Sequence, residues 1–236
     1  MIAIDWANPL VATPVWSVAT IVLYLGAQRL YRRWPRWWLS PLLITPLPLI
    51  AAACLLRVSY GDYILGTHWL VALLGPATVA FAVPIYEQRA LIRRHWPVLL
   101  IGVLAGSVAA IASGWLLASV FHFDAALRES LLPRSMTTPF AMEVSGTIGG
   151  IPELTAVFVV VTGVAGAALG DIVIACLPLR SALARGALFG MGAHGAGVAR
   201  AREVGTEEGA VAGLIMVMVG VVNVLGSALF MHLLRQ

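Results

Sequence analysis

From Trp96 to Phe121 the chain reads WPVLLIGVLAGSVAAIASGWLLASVF, with no charged side chain. A run of that length exceeds the ~20 apolar residues that carry an α-helix across a bilayer. Comparable runs extend over about Ala12–Leu30, Leu39–Leu56, Trp69–Ile85, Leu154–Leu177, Ala184–Ala199 and Ala210–Leu234. Of the 236 residues, 60% are hydrophobic and 11% charged, against about 25% charged in a soluble domain. Too few charges remain to coat a soluble fold. The expectation is therefore an all-α integral membrane protein, a single polytopic domain over residues 1–236.

The N-terminal MIAIDWANPL has no basic n-region, so no cleavable signal peptide is expected. Cys54 and Cys176 each sit inside an apolar run and read as buried small side chains. No Walker A, HExxH, GxSxG or CxxC pattern is present. Neither an ATP-driven pump nor a familiar hydrolase is supported, and no enzyme activity, cofactor or metal is expected.

All fifteen basic residues are Arg, and cytoplasmic loops enriched in Arg explain the net charge of +4 and pI near 9.6 without nucleic acid. The positive-inside rule places Arg29, Arg32, Arg33 and Arg36 in the cytoplasm, and Arg89, Arg93 and Arg94 also. If the stretch from Arg134 to Gly150 crossed the membrane, Arg180 and Arg185 would land outside. If it dips in and returns, both land inside, as does Arg235. Pro133, Pro139 and the Gly149-Gly150 pair favour the dip.

With that topology the chain divides into two mirror-related halves, about 10–122 and 125–236. Inverted repeats with broken helices are the usual build of secondary transporters, with the binding site near the midplane. The breaks fall at LLGPATVAFAVP, Leu73–Pro84, and at FGMGAHGAGVARA, Phe189–Ala201. Non-helical backbone at membrane depth needs burial in protein or a hydrated cavity.

Thr138 before Pro139 reads as an N-cap with proline at the first helical position, and Gly75-Pro76 has the same grammar. Helix N-termini aimed at one place bind anions. The candidate binding residues are Ser135, Thr137, Thr138, Pro139, Gly149 and Gly150, with Gly75, Pro76 and Thr78, and with Gly192, His194, Gly195 and Gly197. Glu143, one turn into the helix that Pro139 starts, is the candidate coupling group for H⁺ or Na⁺. Its structural alternative is hydrogen bonding to neighbouring backbone or Thr147. Asp171 ranks below it, paired with Arg180 or Arg185. Arg200 reaches a carboxylate or sits in a solvated loop beside Glu203, Glu207 and Glu208.

At these residues the chain resembles a known family. LLPRSMTTPFAMEVSGTIGGIPELTAVFVVVTG, ARGALFGMGAHGAGVARA and LGPATVAFAVPIYEQ are similar to segments of the LrgB/CidB family of bacterial antiholin-like membrane proteins. WLSPLL and YGDY agree as well. Arg134 stands for the usual Lys, Met136 for Val and Val198 for Thr. The resemblance implies a bacterial inner-membrane protein and a fold like the cation:proton antiporter and bile-acid symporter group, with elevator motion and a homodimer. It implies two functions. Plastid relatives resemble glycolate/glycerate translocators and some bacterial ones are linked to pyruvate, whereas the bacterial members are named for modulating murein hydrolase activity and lysis beside a small holin-like partner. The broken helices favour a secondary transporter of small monocarboxylates, coupled to H⁺ or Na⁺. The antiholin-like regulator is the alternative.

Overall fold

The computed structural model describes Trp6 and residues 8–234, so Arg235 lies outside the described residues. Among the described residues twelve α-helices run in order: α1 Pro9–Arg33, α2 Pro41–Ile44, α3 Pro46–Leu56, α4 Tyr60–Ala72, α5 Leu74–Ala80 and α6 Ala82–Glu87. They continue with α7 Arg89–Val120, α8 Ala125–Leu131, α9 Thr138–Ile148, α10 Pro152–Cys176, α11 Ala182–Val204 and α12 Thr206–Leu234. Short 3₁₀ turns lie at Trp37–Leu39 and Leu132–Ser135, and no strand occurs among the described residues.

Among the described residues five stretches are long and apolar enough to cross a membrane: Pro9–Arg33, Tyr60–Glu87, Arg89–Val120, Pro152–Cys176 and Thr206–Leu229. Pro41–Leu56 is a shorter apolar helix. Large apolar side chains such as Ile101, Val108 and Leu116 lie on the surface, where a bilayer accommodates them. Cys54 and Cys176 are exposed rather than buried. A lipid-facing surface needs no polar coat, so an apolar neighbourhood in the sequence does not imply burial.

The chain forms two compact units, Met1–Ala77 and Thr78–Gln236. In the first, Asn8 caps α1 by accepting from the Leu10 N–H, and Ser59 with Asp62 forms a capping box at the start of α4. Lipid tails are as apolar as Leu, so helices in a bilayer are joined by close packing and hydrogen bonds rather than by the hydrophobic effect. The α1–α4 contact shows both. Ser17 donates to the Gly66 carbonyl at 3.0 Å and accepts from Trp69 Nε1 at 2.7 Å. A Cβ on Gly66 would stand 2.6 Å from the Ala12 carbonyl oxygen.

Gly75 and Pro76 of this unit differ from their expected role. Leu73, where α4 ends, keeps right-handed helical dihedrals of −69° and −12°. Pro76 therefore follows a tightened turn, with no extended N-cap before it.

The second unit is built on two chain reversals. After α8 the chain passes through the 3₁₀ turn into α9, then returns to start α10. Ile151 N–H donates to Ser130 Oγ at 2.7 Å, so residues 131–150 leave one point and come back to it. At 1.5 Å per residue, the eleven residues of α9 rise about 16 Å, half a hydrocarbon core of ~30 Å.

The other reversal is in α11, which the sequence reading treats as one broken span. His194 has φ 36° and ψ −119° inside the helix. The arm 195–204 folds back beside the arm 182–193, so that a Cβ on Gly197 would collide with the Phe189 carbonyl oxygen. Both ends of α11 then meet the start of α12: Gly186 abuts the Glu208 carbonyl and Val211, while Arg202 packs on Gly209. A helix that begins and ends at one end of its neighbour does not cross beside it.

Candidate functional site

The tips of the two hairpins meet in the second unit. The tip of the α8–α9 hairpin is the 3₁₀ turn through Arg134 and Ser135, followed by Met136, Thr137 and α9. Thr137 is the N-cap, with extended dihedrals of −68° and 145°, and Pro139 lies in the first turn. The cap thus falls one residue before the expected Thr138, because the extended residue is Thr137. Its main-chain oxygen accepts from Ala141 N–H at 3.0 Å, and its side chain makes no capping bond.

The α11 tip is His194, only 5% exposed, with Nε2 buried and without a hydrogen-bond partner of ordinary geometry. Its imidazole lies against the main chain of Arg134, and the 3₁₀ turn packs on α11. The expected grouping of Ser135, Thr137 and Thr138 with His194 is therefore a grouping of two hairpin tips. A Cβ on Gly192 or Gly195, on either side of His194, would meet no neighbour, whereas Gly197 is needed for the close approach of the arms.

Three glycines of α10 receive α11: Gly163 faces His194, Gly166 faces Gly192 and Ala193, and Gly170 faces Phe189. The sequence reading passed over them. Their signal was the spacing, since residues three and seven apart share a helix face.

Beside the tips is a cavity of ≈ 10 Å³, bordered by Ser107 of α7, Ser135 and Met136, Met191 of α11, and Val219 and Asn223 of α12. That volume is about one water. Asn223 Nδ2 donates to Ser107 Oγ at 2.8 Å and to the Val219 carbonyl at 2.7 Å. Arg134 reaches away from the tip, donating to the Ala110 carbonyl at 3.2 Å and Ser113 Oγ at 3.1 Å on α7. These contacts pin the α8–α9 hairpin to α7.

Gly149 and Gly150 sit at the opposite end of α9 and belong to the hairpin base. Gly149 terminates α9 in the left-handed region at φ 98°, where glycine carries no Cβ penalty. Beyond it, Ser130, Ser145 and Thr155 are each fully buried. Thr155 Oγ1 lies 2.7 Å from Ser145 Oγ, 3.0 Å from the Ser130 carbonyl and 3.1 Å from the Ile151 carbonyl. This network closes the base, and Ser130 and Ser145 were not singled out from the sequence.

Glu143 is exposed on α9, and Thr147 Oγ1 donates to its main-chain oxygen at 2.9 Å. The charged residues pair at the base of α11 rather than at its tip. Arg200 Nε donates to Asp171 Oδ1 and Oδ2 at 2.9 and 3.0 Å and Arg200 also pairs with Glu203, while Arg185 pairs with Glu208. Asp171 therefore has Arg200 as its partner, not Arg180 or Arg185, because the fold-back brings residue 200 level with residue 171. No cluster of metal-ligating side chains occurs among the described residues.

The chain matches the LrgB-like family over residues 20–233. The antiholin-like protein LrgB of Bacillus subtilis (strain 168) is 35% identical, covering 81% of this chain and 85% of its own length. The holin-like protein CidB of Staphylococcus aureus (strain Mu50) is 30% identical, over 92% of this chain and 94% of its own. The uncharacterized protein YwbG of Bacillus subtilis (strain 168) is 41% identical over 86% and 91% respectively. No solved structure matches. These names correct the expected function: the two of these relatives that are named for an activity are antiholin-like and holin-like, not carriers of glycolate, glycerate or pyruvate. Broken helices alone misled, since they mark irregular backbone that protein buries as well as backbone that a substrate visits. By family match and by identity across nearly its whole length, this chain belongs to the LrgB-like family of membrane proteins.

Proposed function

We propose that the protein is an antiholin- or holin-like regulator in the cytoplasmic membrane that modulates murein hydrolase activity and lysis with a small holin-like membrane partner. The single observation that carries this reading is its similarity, over more than four-fifths of its length, to relatives so named. One structural feature supports a partner. Glu143 and Thr147, one helical turn apart, are exposed on α9, as is Gly146 between them. A carboxylate at membrane depth is costly in lipid, so this face calls for a polar neighbour. In this reading the neighbour is the partner, and Glu143 is a docking residue rather than a coupling group.

In the same reading the α8–α9 hairpin enters from the external side and the α11 hairpin from the cytoplasmic side, with inverted orientation. The candidate tip residues Ser135, Thr137, Thr138, Pro139, His194 and the glycines beside it serve the junction of these hairpins. Elevator motion has no place in it.

The test is co-expression with a tagged holin-like protein in a strain lacking both genes, scoring retention of the partner and the rate of autolysis. The expected result is co-purification and an altered autolysis rate, both reduced by Glu143→Leu. A wild-type protein that neither retains the partner nor changes autolysis overturns the reading.

A further inference from the structure

His194 occupies a backbone conformation that belongs to glycine. At φ 36° and ψ −119° a Cβ crowds the neighbouring peptide, and L-residues adopt this region rarely and at a cost. The surrounding segment holds glycine at 190, 192, 195 and 197, yet the one position whose dihedrals call for glycine carries an imidazole. That imidazole is buried, sits halfway along α10 against Gly163, and lies on the Arg134 main chain of the other hairpin. Gly163 has no side chain, and a Cβ there would come 2.7 Å from the ring Cε1, so α10 leaves space that the ring fills. A small cavity bordered by Ser135 and Met136 and by Met191, with α7 and α12 making the rest of its wall, adjoins both hairpins. Tertiary structure thus holds a strained histidine at the meeting point of two chain reversals.

We infer that His194 is the seal of a mid-membrane gate: its side chain locks the tip of the α11 hairpin against the tip of the α8–α9 hairpin and fills the space between them. Two short hairpins from opposite ends, rather than a continuous helix, then form the barrier at this point. Removing the ring would empty the space that it fills between the tips, against Gly163 and the Arg134 main chain, and so open the barrier to water and small ions. The inference concerns the protein alone and does not depend on a holin-like partner, so its failure and that of the proposed function are separable.

His194→Gly isolates the side chain, because glycine suits the local dihedrals and the turn itself survives. His194→Asn is the companion variant, since Asn keeps a planar polar side chain with an N–H donor at the same backbone position. Each protein is purified, checked for helical content and reconstituted into liposomes loaded with potassium and a pH-sensitive dye. Leak of K⁺ and H⁺ is recorded, and amide exchange is followed at 134–138 and 193–198. The expected result is a tight wild type and a His194→Gly protein with leak and exchange at both tips raised at least about tenfold, the effect of losing one buried contact of ordinary strength. Asn should restore most of the tightness. Exchange at 134–138 is the readout that a purely local turn would leave unmoved. Liposomes as tight with His194→Gly as with wild type, unchanged exchange at 134–138, or an Asn variant as leaky as the Gly variant overturns the inference.

Discussion

Thr155→Val tests whether the base of the α8–α9 hairpin is held by hydrogen bonds. Valine matches threonine in shape, so the change exchanges one hydroxyl for a methyl and leaves packing nearly unaltered. In the fully buried network that hydroxyl lies 2.7 Å from Ser145 Oγ and 3.0 Å from the Ser130 carbonyl. The single O–H proton of Thr155 has three acceptors in reach, Ser145 Oγ and the Ser130 and Ile151 carbonyls. Valine removes that donor and leaves Ser145 Oγ and the Ser130 carbonyl without it. An unsatisfied buried group costs about 1–3 kcal/mol. The Ile151 carbonyl and Ser130 Oγ retain other partners, so the expected loss is about 2 kcal/mol rather than the sum of two such penalties. For a chain of this size that corresponds to a fall in Tm of roughly 4–8 °C. Thermal unfolding in a mild detergent, followed by helical circular dichroism, measures it, with Thr155→Ser as the variant that keeps the hydroxyl. A Thr155→Val protein within about 0.5 kcal/mol of wild type, the range of an inert surface change, would refute the claim that these hydroxyls close the hairpin.

Gly150→Ala places a Cβ 2.5 Å from Ser145 Oγ and 2.8 Å from the Ser130 main-chain nitrogen; because a backbone atom cannot give way, a loss of about 1–3 kcal/mol is expected in the same melt. Asp171→Asn breaks the pair with Arg200 at the α11 base, but both side chains are over a third exposed, so the expected cost is below about 1 kcal/mol. A double-mutant cycle with Arg200→Gln measures that pair directly.

The sequence made the class of fold legible because charge scarcity and long apolar runs leave few alternatives. The break in the α8–α9 hairpin was legible too, since Pro133 and Pro139 favour a helix start and Gly149-Gly150 a helix end, and α9 begins and ends there. The α11 reversal was not. Its turn is made by His194 in a conformation sequence logic assigns to glycine, and the real glycines around it mark contacts rather than the bend. The partners of Asp171 and Arg185 depended on that reversal and could not be read without it. Ser130, Ser145, Ser107 and Asn223 join only through tertiary contacts, and as isolated hydroxyls and an amide in apolar text they carry no spacing signal. Function was least legible, because broken helices describe a construction that serves more than one activity.

The opposed hairpins are tested most directly by sided labelling. In a protein with Cys54→Ser and Cys176→Ser, single cysteines replace Asp124, Glu153, Arg180 and Arg202, all exposed in the structure. A membrane-impermeant thiol reagent is applied to intact cells and to inverted vesicles. Asp124→Cys and Glu153→Cys should react only from outside, and Arg180→Cys and Arg202→Cys only from the cytoplasmic side. Labelling of Arg180→Cys and Arg202→Cys from opposite sides would make α11 a crossing helix, and labelling of Asp124→Cys and Glu153→Cys from opposite sides would make residues 131–150 one; either result contradicts the account.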